Sequence, residues 1–174
     1  MLLGATLALL AGAAAGPAPS EPAPCAIVLG QGRNPSDGDA AADQAWDSVN
    51  RSFARQFAAD LAAAGQRVVP MLLSVALIDP AVAASAALGT AAEQGCDRLI
   101  EATVFADGRS GTLVARIREY PIVLADAASG QLRIGAPNYS NQHDHDLTQT
   151  TLDRVRPGAL ARAMAAEYLR AQPR

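Results

Sequence analysis

Lysine is missing from this chain: all 14 basic residues are arginine. Its absence excludes a P-loop lysine, a Schiff-base lysine and any lysine nucleophile. Aromatic residues make up only 4%, too few to build a stacking platform for single-stranded nucleic acid or sugars. Charged residues are also sparse, at 18%, and the formal net charge is -3. A mildly acidic chain holds phosphate backbones poorly, so nucleic acid is not an expected partner. There are two cysteines and no C-x-x-C spacing, which argues against a redox-active pair. No G-x-S-x-G, no H-E-x-x-H and no catalytic cysteine arrangement occurs either.

What is present is a 174-residue chain that is 50% hydrophobic, enough to pack the core of roughly one domain. Leu2 to Ala15 is an uncharged run of Leu, Ala, Gly and Thr. At about 14 residues it is short for a span, which needs roughly 20. It has the length of a signal-peptide core, and Ala13 and Ala15 supply a small-x-small cleavage pattern ahead of Gly16. No basic residue precedes the run. Residues 16–24 then read as a Pro/Ala tether, and residues 25–172 as a single domain. Export implies a periplasmic location. A lipid anchor at Cys25 is not expected, because Pro24 stands where a lipoprotein signal needs a small residue. Any membrane association would run through a partner.

An exported chain with two cysteines favours a disulfide. Cys25 immediately precedes the apolar run Ala26 to Leu29, and Cys96 shortly precedes Leu99 to Phe105. If those runs are neighbouring parallel strands, their starts lie about 5 Å apart, a spacing that suits a disulfide. Two free buried cysteines are the alternative.

The first strand, Ala26 to Leu29, is followed by a Gly/Asp/Asn-rich loop and a helix over about Ala41 to Ala64. Trp46, Val49, Phe53, Phe57 and Leu61 give that helix one apolar stripe. Asp47, Arg51 and Arg55 read as its solvated face. Gly65 ends it. Arg67 to Ser74 is a strand with Pro70 inside it, which points to a sheet edge. Asp79-Pro80 starts a second helix that stops at Gly95. Leu99 to Ala106 and Thr112 to Tyr120 form a hairpin, and Ile122 to Asp126 with Gln131 to Ile134 form another. Pro157 opens a last helix with Leu160, Met164 and Tyr168 four apart. The order β-α-β-α-β-β-β-α predicts an α/β (α+β) mixed sheet with three helices and strand order about 2-1-3-4-5. An exported domain of this element order resembles the TolB N-terminal-like domains, among them the periplasmic LpoB and CsgG type lipoproteins. That resemblance implies a non-catalytic role in assembling, tethering or activating envelope machinery.

Several side chains are candidates for sites. Gly30-Gln31-Gly32 invites comparison with a dinucleotide fingerprint, but Pro35 stands at the third glycine. The loop still lies at the C-terminal edge of parallel strands, where open α/β sheets bind ligands. Arg33, Asn34, Asp37 and Asp39 are therefore candidate ligand or partner contacts. Tyr139, in a polar stretch, reads as an exposed partner contact. His143-Asp144-His145-Asp146 puts both imidazoles on one face if it is a strand, a start toward a zinc or copper site that lacks evident further ligands. A solvated surface loop is its plainer reading. Glu101 interrupts an apolar strand opposite Arg116 and Arg118, which suggests a cross-strand ion pair. No cofactor is expected. The expected function is a non-catalytic periplasmic interaction domain with an unidentified envelope partner, and a periplasmic small-ligand or metal-binding protein is the alternative.

Overall fold

A computed structural model describes residues 24–34, 38–77, 79–126 and 128–172; the expected signal peptide, nearly all of the tether, and Asp37 lie outside them. Seven residues, Cys25–Gln31, form β1, buried almost throughout, as suits a parallel strand with neighbours on both edges. There follow α1 (Ala40–Ala63), β2 (Arg67–Leu73), α2 (Pro80–Gln94), β3 (Arg98–Asp107) and β4 (Thr112–Asp126). The chain continues through β5 (Gln131–Ile134), β6 (Tyr139–Asp146), a short α3 (Gln149–Arg154) and α4 (Pro157–Ala171). The sheet runs β2-β1-β3-β4-β5, with β6 also on β4. β1 is parallel to β2 and β3, and the remaining pairs are antiparallel. Strand order, edge position of Pro70 and the three long helices are as the sequence predicts; α3 is a one-and-a-half-turn addition.

The helices start and stop for local reasons. Asp39 caps α1, its carboxylate accepting from the N–H groups of Ala41 (3.0 Å) and Ala42 (3.1 Å). Asp79 caps α2 in the same way, with Pro80 behind it. Two hairpins share one turn device. Asp107 accepts from Arg109 N–H and Ser110 Oγ, and Asp126 accepts from Ala128 N–H and Ser129 Oγ. Gly111 (φ 66) and Gly130 (φ 68) then take the left-handed conformation that lets the chain return.

Packing follows the pleat. α1 and α4 pack together, and the apolar stripe of α1 (Phe53, Phe57, Leu61) joins Ala26, Val28, Ile100, Val104, Ile117, Met164 and Tyr168 in the main core. Gly30 lets α1 come close: a Cβ there would sit 2.5 Å from Ala54 Cβ and 2.9 Å from Leu72 Cδ2. On the opposite face, α2 covers only part of the sheet. Ala87 and Ala91 join Cys25, Ile27, Leu29, Cys96, Leu99 and Ile122 in a second, smaller core. Cys25 and Cys96 are disulfide-bonded, their Cα atoms 4.5 Å apart.

Three expectations need correction. Thr112 to Tyr120 and Ile122 to Asp126 are one strand, β4, running through Pro121. The proline is tolerated because its missing N–H faces the gap between β5 and β6, where Gly135 N–H reaches Pro121 O at 2.8 Å. The polar segment 139–146 is a strand rather than a surface loop, pairing with Thr112 to Glu119 of β4. Asp47 is not merely solvated: it accepts from Ser74 Oγ (2.7 Å) and Val75 N–H (2.6 Å), pinning the β2–α2 connection to α1.

Candidate functional site

The sheet face that α2 leaves partly open carries a charged cluster built by β3, β4 and the loop after β1. Glu101 lies opposite Arg118 in register, and Thr103 opposite Arg116. The ion pair of Glu101 nevertheless goes to the diagonal neighbour Arg116 (3.5 Å) and to Arg33, which reaches in from the loop. Tyr120 donates its hydroxyl to the other carboxylate oxygen at 3.2 Å. The guanidiniums of Arg33 and Arg116 both stand over the Phe105 ring, 5.6 and 5.1 Å from its centroid. Two of the arginines thus share one carboxylate and one aromatic face. Burial holds Arg116 below the usual arginine range, the charges of Arg33 and Arg118 push the same way, and Glu101 opposes them. Nε and Nη2 of Arg116 and Oγ1 of Thr103 are buried without a hydrogen-bond partner among the described residues.

Beside this cluster lies a cavity of about 440 Å³ between the start of α2 and the sheet. Leu29, Leu77, Ala83, Leu99 and Ile134 give it apolar walls, while Arg33, Glu101 and Tyr120 form its polar end. It lies on the sheet face and reaches the carboxyl ends of β1 and β2 at Arg33, Val75 and Leu77, the edge where open α/β sheets keep ligands.

The sequence candidates separate. Arg33 belongs to the cluster. Asn34 serves the fold instead, its amide hydrogen-bonding both N–H and C=O of Ala106 (2.7 and 2.8 Å). Asp39 is the cap of α1. Tyr139 lies on the other face of the sheet, half-buried, its ring edge-on to Tyr168 at 5.1 Å. Burial raises its hydroxyl pKa. It was expected to be exposed; β6 carries it under α4. His143 and His145 do share a face of β6, turned toward the helices while Asp144 and Asp146 are exposed. His143 Nε2 lies 2.9 Å from Glu167 Oε2 on α4. Among the described residues, no group of three His, Cys, Asp or Glu side chains comes together to hold a metal.

Sequence reading passed over Glu119 and Asn50. Glu119 is buried, accepting from the Tyr168 hydroxyl and from Asn138 Nδ2 (3.2 Å), with Arg98 Nη1 at 3.8 Å. Burial and the adjoining carboxylate raise the Tyr168 pKa well above its ordinary value. A glutamate in a strand whose neighbours are largely buried was the available signal. Asn50, interrupting the apolar face of α1, was the other.

No family model matches the sequence, and no match is found among curated proteins. Solved structures similar to the chain include the following two. The PelC dodecamer from Paraburkholderia phytofirmans is 15% identical, over 84% of this chain and 86% of that chain, with TM-score 0.40. Lipoprotein GNA1162 from Neisseria meningitidis is 15% identical, over 87% of this chain and 100% of that chain, with TM-score 0.40. The likeness to TolB-type domains stays at element order, and no particular family is fixed by these findings.

Proposed function

We propose that this chain is a non-catalytic interaction domain that assists an assembly, secretion or transport system of the bacterial cell envelope. The observation that carries the reading is the sheet itself. β2 at one side and the β5–β6 side at the other end the strand order, so each offers backbone groups to a partner strand. The Cys25–Cys96 bond supports an oxidising compartment. It also occupies the sulfur that a thioether-linked lipid would need, which fits a chain without its own anchor. No helix among the described residues is long and apolar enough to cross a membrane.

The test is photo-crosslinking in cells from the exposed positions Gln142 and Asp144 on β6, with exposed Arg55 on α1 as control. A discrete adduct to an envelope protein from the β6 positions alone is the expected result. Absence of adducts, together with a purely monomeric protein in envelope extracts, overturns the proposal.

A further inference from the structure

We infer that the Arg33–Arg116 cluster and the cavity beside it form a binding site for an aliphatic carboxylate, its acid group on the two guanidiniums and its chain against the apolar walls. The inference holds for the chain by itself and does not depend on an envelope partner.

Charge gives the sign of the ligand. Arg33, Arg116 and Arg118 gather around a single carboxylate, Glu101, which already takes Arg33, Arg116 and Tyr120. A further cation has no free acceptor there, whereas an anion meets surplus donors. Unpaired atoms give the position. The Arg116 side chain is only 8% exposed, and its Nη2 meets Glu101 only at ion-pair distance, 3.5 Å; its Nε, and Oγ1 of neighbouring Thr103, lack a hydrogen-bond partner among the described residues. Buried guanidinium N–H groups without acceptors are costly. The two oxygens of a carboxylate are the acceptors a guanidinium fork fits best. Glu101 remains in place as a resident negative charge, so a monoanion is favoured over a doubly charged phosphate.

Shape gives the remainder. The cavity opens onto the cluster at Arg33 and Glu101 and is otherwise walled by Leu29, Leu77, Ala83, Leu99 and Ile134, a surface for a hydrocarbon chain. Arg33 is the exposed member: its side chain is 44% exposed, and its guanidinium stands over the Phe105 ring.

Calorimetric titration of the full chain at low ionic strength tests the site, with hexanoate as probe and hexanol and hexylamine as comparators. Hexanoate is expected to bind saturably, with both comparators at least about tenfold weaker, since a charge-assisted hydrogen bond is worth that factor or more. Arg33→Gln should weaken hexanoate by about tenfold. Ala84→Phe, which fills the cavity from its α2 wall, should weaken it similarly and keeps the test decisive if Arg33→Gln misfolds. No saturable hexanoate binding, equal binding of hexanol or hexylamine, or unchanged affinity in the folded variants overturns the inference.

Discussion

Asn50 and Asn34 act as detached pieces of backbone. The pairing of β1 with β3 stops at Leu29 and Glu101, but β3 continues to Asp107. Its stranded groups are taken by two side-chain amides. Asn50 pairs with N–H and C=O of Val104 at 2.8 and 2.9 Å, in the buried core. Asn34 repeats the pattern at Ala106, nearer the surface. Asn50→Ala should therefore cost about 3 kcal/mol in urea denaturation, since it leaves two buried backbone groups unpaired. Asn34→Ala should cost about 1 kcal/mol. A second residue-scale prediction concerns Tyr168. Its pKa is raised from 10.0, by burial first and then by Glu119. The folded state therefore holds the proton more tightly than the unfolded chain. The stability this contributes is full below pH 10 and is lost as pH climbs through the ordinary tyrosine range toward the raised folded value. Urea midpoints measured from pH 8 to pH 11 should fall steeply above about pH 10. Tyr168→Phe should flatten that fall while lowering stability at neutral pH.

At the scale of elements, glycine means different things in a strand and in a helix. Gly30→Ala forces a methyl against Ala54 and Leu72 where α1 rests on β1, and should destabilise by about 2 kcal/mol. Gly89 lies within exposed α2 with nothing inside 4 Å of an added Cβ, so Gly89→Ala should stabilise by about 0.7 kcal/mol. Thermal melts of the two variants should move in opposite directions. Most elements were legible because their signals are local: Asp79-Pro80 opening α2, Gly95 closing it, and the stripe from Trp46 to Leu61. β6 was not, because its inward residues Tyr139, Asn141, His143 and His145 are mostly polar and supply no apolar alternation. They are accepted inside because α4 presents Glu167 to Asn141 Nδ2 (2.6 Å) and His143 Nε2. Only the tertiary fold brings that carboxylate there. The candidate site was half legible for the same reason. Glu101 and Arg116 announce themselves on adjacent strands, whereas the arrival of Arg33 over Phe105 depends on how a loop folds back.

For the whole molecule, topology was readable because two unrelated clues agreed. Pro70 placed one strand at an edge, and the cysteines placed β1 beside β3. The bridge spans a sequence separation of 71, and a loop of that size contributes about 4 kcal/mol in the chain-entropy account. The double replacement Cys25→Ser with Cys96→Ser should lower the unfolding free energy by that amount while leaving the sheet intact by circular dichroism. Mass spectrometry of the non-reduced protein should find no free thiol. The same bridge decides how the domain carries mechanical load. Tension entering from the chain ahead of Cys25 and leaving through α4 crosses directly to Cys96. Everything from β1 to α2 is then bypassed, and the first and third strands cannot be peeled apart from that end. Such a domain yields by rupture of its antiparallel half, with the segment between the two cysteines outside the line of force.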